Sequence, residues 1–173
     1  MGMDVHGINP QQNKSIEEFP AYNKIKKMRD DKEEGWKESW VLLDEDTDLR
    51  DAYYKEVDEY ENINCGVYFR NNCWWWRPLW DYCRNVAPHL INEELHGAGH
   101  HNDGAGLDGK GAKELGEILL GEIANGNTIK YQAEYQQMQD SNDDEWASHY
   151  PFDIENVANF AKFCIQSGGF EIC

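Results

Sequence analysis

Within HGAGHHNDGAGLDGKG (96–111), three imidazoles and a carboxylate fall inside eight positions: His96, His100, His101 and Asp103. Imidazole and carboxylate are donors for zinc and related divalent ions, so a metal-dependent hydrolase built on these four residues is one chemistry open to the chain. The spacing fits no standard signature. HExxH is absent, and Gly97 and Gly99 work against a helix that would stack His96 over His100. Aligned as an EF-hand loop with Gly104 in the sixth position, the stretch would start on Gly99 and end on Lys110, neither of which supplies a carboxylate. A glycine loop leading to a helix N-terminus favours anions, because free amides point outward there. On that reading His100, His101, Asn102 and Asp103 would contact a phosphate-bearing ligand, although the GK[ST] ending of a P-loop is missing. A plain structural turn is the third reading.

The second constellation is RNNCWWWRPLW (70–80), with four tryptophans and two arginines in eleven positions. One helical face cannot bury three consecutive indoles. At about 100° per residue, Trp76 and Trp80 share a face with Cys83, and Trp75, Leu79 and Tyr82 share the neighbouring one. Trp74 falls at the helix entry, which leaves Trp74 or Trp75 near an edge, within reach of Arg70 and Arg77 for guanidinium stacking. The cluster reads as the aromatic core of a leucine-poor chain. It also reads as a pocket made by Arg70, Trp74, Trp75, Trp76, Arg77 and Trp80, where a base stacks and arginine grips phosphate. The two readings overlap, since a core cluster can form a pocket wall.

The third constellation is acidic. Between Lys130 and Lys162 there is no lysine or arginine, while Asp140, Asp143, Asp144 and Glu145 are joined by Trp146 and Tyr150. Such a run is a solvated surface or, given its aromatic residues, a dock for a basic host protein in the manner of a nucleic-acid mimic.

The elements that must position these groups follow from periodicity. Met3 and Val5 alternate with Asp4 and His6 in a first strand, broken at Asn9-Pro10. CGVYFRNN (65–72) predicts a strand with Val67 and Phe69 on one side. Pro78 suits the first turn of a helix that runs to about Ala87. Asp108 caps a helix to about Asn125, with Gly126 as its stop, and Thr128 caps the next, where Tyr131, Tyr135 and Met138 line up. Asp153 caps a helix to Ser167, and FEIC (170–173) is a last strand. From Gln11 to Asn62 the character changes: sixteen of the 33 acidic residues sit there beside nine basic ones. DLRDAYYKEVDEYEN (48–62) is amphipathic through Tyr53, Val57 and Tyr60, and Trp36, Trp40 and Leu43 mark a shorter helix. The expectation is an α+β fold of three or more helices with a few short strands: one domain with its core in 1–10 and 65–173 and a charged helical insertion over 11–62.

The bulk composition excludes several classes. A formal charge of −17 repels phosphate backbones and anionic lipid, which argues against direct nucleic-acid binding. No apolar run approaches a membrane span, and MGMDVHG has neither the basic nor the apolar region of a secretory signal. Five cysteines without a CxxC pair point to buried reduced thiols in a cytosolic protein.

Four segments taken together, MGMDVHG-INP, YFRNN-WWWRPLW, GH-NDGAGL and YPF-IENV-FA-F-SGGFEIC, resemble a family of small proteins encoded by tailed bacteriophages and prophages. The resemblance covers 1–10 and about 65–173 in the same order. Members of that family pass directly from Asn-Pro to YFRNN, and many carry a cysteine-rich, zinc-finger-like insertion before YPF. Here about fifty residues intervene at the first place, and only the acidic SNDDEW stands at the second, so the resemblance implies no structural zinc for this chain. It implies a phage accessory protein in the host bacterial cytoplasm, of a kind often directed against host defences.

The resulting expectation is a non-enzymatic, counter-defence accessory protein without a cofactor. It would sequester a small nucleotide-like molecule through the Trp/Arg cluster and the glycine–histidine loop, and homo-oligomerisation is compatible with that role. The alternatives are the acidic inhibitor of a basic host protein and the metal-dependent hydrolase.

Overall fold

Alternation with a period of two makes Gly2–Gly7 the strand β1, which buries Met3 and Val5 on one face and turns Asp4 and His6 to the other. In the computed structural model, which describes residues 2–31, 33–141 and 150–173, β1 lies between β2 (Tyr68–Asn72) and the C-terminal β4 (Gly169–Ile172). A fourth strand, β3 (Ala105–Asp108), flanks β4, so the order is β2-β1-β4-β3 and every pairing is antiparallel. Register sorts the faces. Val5 stands opposite Phe69 and Ile172, and Leu107 opposite Phe170, all toward the core. Asp4 stands opposite Arg70, and His6 opposite Tyr68 and Glu171, on the polar face.

Helices α4 (Cys73–Val86), α6 (Gly109–Ala124) and α8 (Ile154–Gln166) pack on the apolar face; α5 (Glu93–Ala98) and α7 (Asn127–Asp140) stand beside them. Trp76, Trp80, Leu115, Leu119, Phe160 and Phe170 are sealed in one cluster with Val5 and Ile172. This is the α+β fold expected, with a core built largely on rings. The helix starts differ from expectation in two places. Asn72, not the Arg77-Pro78 step, opens α4: its Oδ1 accepts from the amides of Trp74 and Trp75 at 3.0 and 3.1 Å. Pro78 therefore lies inside the helix, where it has no amide to offer the carbonyl four residues back. Thr128 is not a cap either. Gly126 precedes α7 in the left-handed region, and Thr128 is buried with Oγ1 2.9 Å from the Tyr82 hydroxyl.

The strand β3 arises inside the glycine-rich stretch that reads as loop in the sequence, and α5 ends within it. Gly106 pairs in the middle of β3, and a Cβ there would stand 1.7 Å from the Phe170 carbonyl oxygen; only glycine lets the two strands close.

Residues 12–64 form a second compact unit, distinct from the unit made of Met1–Gln11 and Cys65–Cys173. It contains α1 (Pro20–Asp31), α2 (Glu33–Glu45) and α3 (Thr47–Ile63), with its own small core of Ala21, Ile25, Leu43 and Tyr53. Glu56 closes the start of α1 by accepting from the amides of Ala21 and Tyr22, and Asn64 ties the ends by accepting from the amides of Asn13 and Lys14. Among the described residues no helix is long and apolar enough to cross a membrane.

Candidate functional site

The tryptophan run begins to make sense once the buried indole N–H groups are traced. Trp76 and Trp80 lie one turn apart on the core face of α4, and their rings stack with centroids 5.4 Å apart and planes 15° from parallel. A buried N–H without a partner costs on the order of 1–3 kcal/mol, so each indole needs an acceptor. Trp76 Nε1 donates to the Gly99 carbonyl at 2.7 Å and Trp80 Nε1 to the His96 carbonyl at 3.1 Å. Both acceptors belong to the end of α5 and the turn that follows, so the paired indoles clamp that turn onto α4. Gly99 must be glycine here, since a Cβ would stand 2.3 Å from Trp80 Nε1.

The clamp presents two imidazoles to Asp81, the residue after Trp80. His96 Nε2 is 2.6 Å from Asp81 Oδ1, and Arg84 Nη1 is 3.2 Å from His96 Nδ1. A guanidinium only donates, so Nδ1 accepts and the ring proton sits on Nε2, pointing at the carboxylate. The His100 ring meets that of His96 edge-on with centroids 4.9 Å apart, and its Nε2 lies 3.7 Å from Asp81 Oδ1. His100 Nδ1 is buried without a hydrogen-bond partner. Burial lowers the His100 pKa; His96, Arg77 and His101 push the same way, and only Asp81 pushes it up. Ligating atoms of Asp81, His96 and His100 all lie within 4.8 Å of one another, so these three could hold a metal ion.

On the other flank of Asp81 a hollow of about 230 Å3 opens between α4 and α7, lined by Arg77, Pro78, Asp81, Tyr135, Met138, Gln139 and Tyr150. Arg77 Nη1 donates to the Tyr150 hydroxyl at 2.7 Å, and its guanidinium lies 5.6 Å from the ring centroid. Trp74 meets the same ring edge-on at 4.7 Å. The Tyr135 hydroxyl and Gln139 Nε2 both donate to the Tyr150 carbonyl, at 2.9 and 2.6 Å. Burial, reinforced by Tyr131 and Asp81, pushes the Tyr135 hydroxyl up to about 12, so it remains a proton donor at neutral pH. The hollow thus sets a cation and a carboxylate one helical turn apart on α4, facing the α7 wall of Tyr135, Met138 and Gln139, an arrangement suited to a planar molecule with an anionic group at one end and donors at the other.

Of the residues singled out from sequence, Arg77 and Tyr150 line this hollow and Trp74 touches it through Tyr150. Trp76 and Trp80 are fully buried, so they act as clamp and not as stacking platform; Trp75 is half-buried and outside the lining. Arg70 is excluded by strand alternation: it lies on the polar face of the sheet, 3.6 Å from Asp4, opposite in pleat to the core-facing Phe69. His96 and His100 meet even though α5 ends at Ala98; as Gly97 and Gly99 predict, no regular helix stacks one over the other. The turn continues past α5 through Gly99 N to the Leu95 carbonyl and His100 N to the Gly97 carbonyl. His101 and Asp103 are exposed and outside the cluster, and Asn102 donates to the Gly2 carbonyl at 3.0 Å. Asp140 ends α7, where it accepts from Gln136. Asp143, Asp144, Glu145 and Trp146 lie outside the described residues. Of the cysteines, Cys83 and Cys164 are buried as expected, whereas Cys173 is exposed.

Asp81, Arg84 and Tyr135 join this candidate site without having been marked by any motif in the sequence. The spacing of Arg77, Asp81 and Arg84 at i, i+4 and i+7 is the signal that marks one polar stripe along the aromatic helix. Compared with known proteins, the chain matches no family model, no curated protein and no solved structure.

Proposed function

We propose that the chain is a binding protein that sequesters a small nucleotide-like ligand in the hollow beside Arg77. The observation that carries this reading is Arg77 itself: an exposed guanidinium, held by the Tyr150 hydroxyl at the mouth of a concave, tyrosine-walled space. Arginine offers five N–H donors in a fork that matches phosphate, and an aromatic wall accepts a base by stacking. Asp81, one helical turn from Arg77 on the same wall, complements a ring bearing amino or imino N–H groups. At about 230 Å3 the hollow is smaller than the roughly 300–1,000 Å3 of drug-sized sites, so it takes one end of a nucleotide and leaves the remainder at the mouth. The resemblance to phage-encoded proteins supports an accessory, counter-defence role for such sequestration in a host cytoplasm.

The test is a melting-temperature series across purine and pyrimidine nucleotides. A ligand at a hundredfold excess over its Kd stabilises the fold by about 2.7 kcal/mol. Arg77→Ala and Tyr150→Ala should each abolish the shift, and mass spectrometry of the purified protein should find the same compound class bound. A panel that leaves the melting temperature unmoved, or a shift that survives Arg77→Ala, rejects the reading.

A further inference from the structure

We propose that Asp81, His96 and His100 form a binding site for a divalent transition-metal ion of the zinc class, independent of any nucleotide. The donor set is two imidazoles and one carboxylate, the mix that suits zinc and its neighbours. A tetrahedral ion with bonds of about 2.1 Å spaces its ligand atoms about 3.4 Å apart. Asp81 Oδ1 already stands 3.7 Å from His100 Nε2, and its 2.6 Å separation from His96 Nε2 needs to open by less than an ångström. The scaffold is rigid. His96 and His100 ride on a turn whose carbonyls are fixed by the Trp76 and Trp80 indoles, and Asp81 projects from the same helix as those indoles.

His100 supports the assignment because the fold makes little use of its ring. Nε2 faces Asp81 Oδ1 at 3.7 Å, beyond a hydrogen bond, and is the ring nitrogen turned toward the proposed ion. Three protein ligands leave a fourth position to water or to another molecule, the pattern of an open zinc site. Asp81 also lines the hollow beside Arg77, so a ligand there would lie next to the ion.

One neighbour opposes uptake, and it yields a prediction of opposite sign. Arg84 donates to His96 Nδ1 and thereby keeps the ring proton on Nε2, the nitrogen that faces Asp81. Ligation through Nε2 moves that proton to Nδ1 by way of solvent, and Arg84 must then swing aside. Arg84→Gln places an amide oxygen where Nδ1–H can donate, so this substitution should tighten metal binding.

The experiment uses the full chain stripped with a chelator and titrated with Zn2+, and with Co2+ as the visible probe. The proposal expects one ion per chain and the intense visible bands of four-coordinate Co2+. Asp81→Asn and His100→Gln should each weaken binding by at least about tenfold, the lower end of what even an outer partner contributes. His101→Ala and Asp103→Ala should leave it unchanged, and Arg84→Gln should strengthen it. Asp81 is exposed, so Asp81→Asn keeps the test decisive if a histidine variant fails to fold. Equal affinity in wild type and Asp81→Asn, or binding that depends on His101 or Asp103, overturns the proposal. Uptake of Co2+ with no nucleotide response would leave this site standing and the nucleotide reading rejected.

Discussion

Arg29 and Arg77 are both arginines set among aromatic rings, one in each unit, and they differ in what is left of their donors. The guanidinium of Arg29 lies 4.4 Å from the Trp36 ring, 5.1 Å from Trp40 and 5.4 Å from Tyr53. Its Nε donates to Ser39 Oγ at 3.0 Å and its Nη1 to the Tyr53 hydroxyl at 2.9 Å, while Nη2 is buried without a hydrogen-bond partner. That arginine knits α1 to α2 and α3. Arg77 is exposed, donates to one tyrosine hydroxyl, and borders a hollow. Composition treats the two clusters alike. The spare donor of Arg29 is sealed inside its unit, whereas Arg77 is exposed beside concave space, the condition a ligand site requires.

The same contrast recurs within RNNCWWWRPLW, and its closed side gives the largest expected effect. Trp76→Ala removes a fully buried ring and leaves the Gly99 carbonyl without its donor, a loss of about 3–5 kcal/mol read by chemical denaturation. Arg29→Ala comes next. Two hydrogen bonds and the shared cation of three rings amount to about 2–3 kcal/mol, and Arg29→Lys should recover little, because a point charge cannot serve Ser39 and Tyr53 together. Arg77→Ala should change stability by no more than about 0.5 kcal/mol while removing ligand-induced stabilisation. A large stability loss at Arg77, or none at Arg29, would break the comparison.

The smallest effect is a pH response. Burial holds the His100 pKa below its usual 6.5, so the folded state binds that proton less readily than the unfolded chain does. The neutral ring's contribution is complete above about pH 6.5 and is lost as pH falls through the lowered folded value. His100→Gln should therefore flatten the decline of melting temperature on the acid side; an unchanged slope would show that other groups set it.

Most of the frame was legible from local pattern. Alternating Met3 and Val5 predicted β1, the caps Asp108 and Asp153 predicted α6 and α8, and the 100° rule put Trp76 and Trp80 on one shared face with Trp74 or Trp75 near an edge. What escaped depends on distant partners. Glycines that read as loop at 99 and 106 are there because an indole and a strand carbonyl come too close for any side chain. Asp81 looked like one acidic residue among 33 until the fold brought His96 and His100 to it from fifteen and nineteen positions away. Arg70 and Arg77 looked equivalent in sequence. A strand's period of two sent one to the polar face of the sheet, and a helix carried the other to the hollow.

The proposed function requires that Arg77, and not Arg29, is the arginine open to a ligand. Its most direct test follows the arginine Nε–H resonances in a 1H–15N spectrum while nucleotides are titrated in. The Arg77 signal should move saturably, with Tyr150 and Tyr135 following, while Arg29 stays fixed. An Arg29 signal that moves, or an Arg77 signal that stays still while some nucleotide binds, would contradict it.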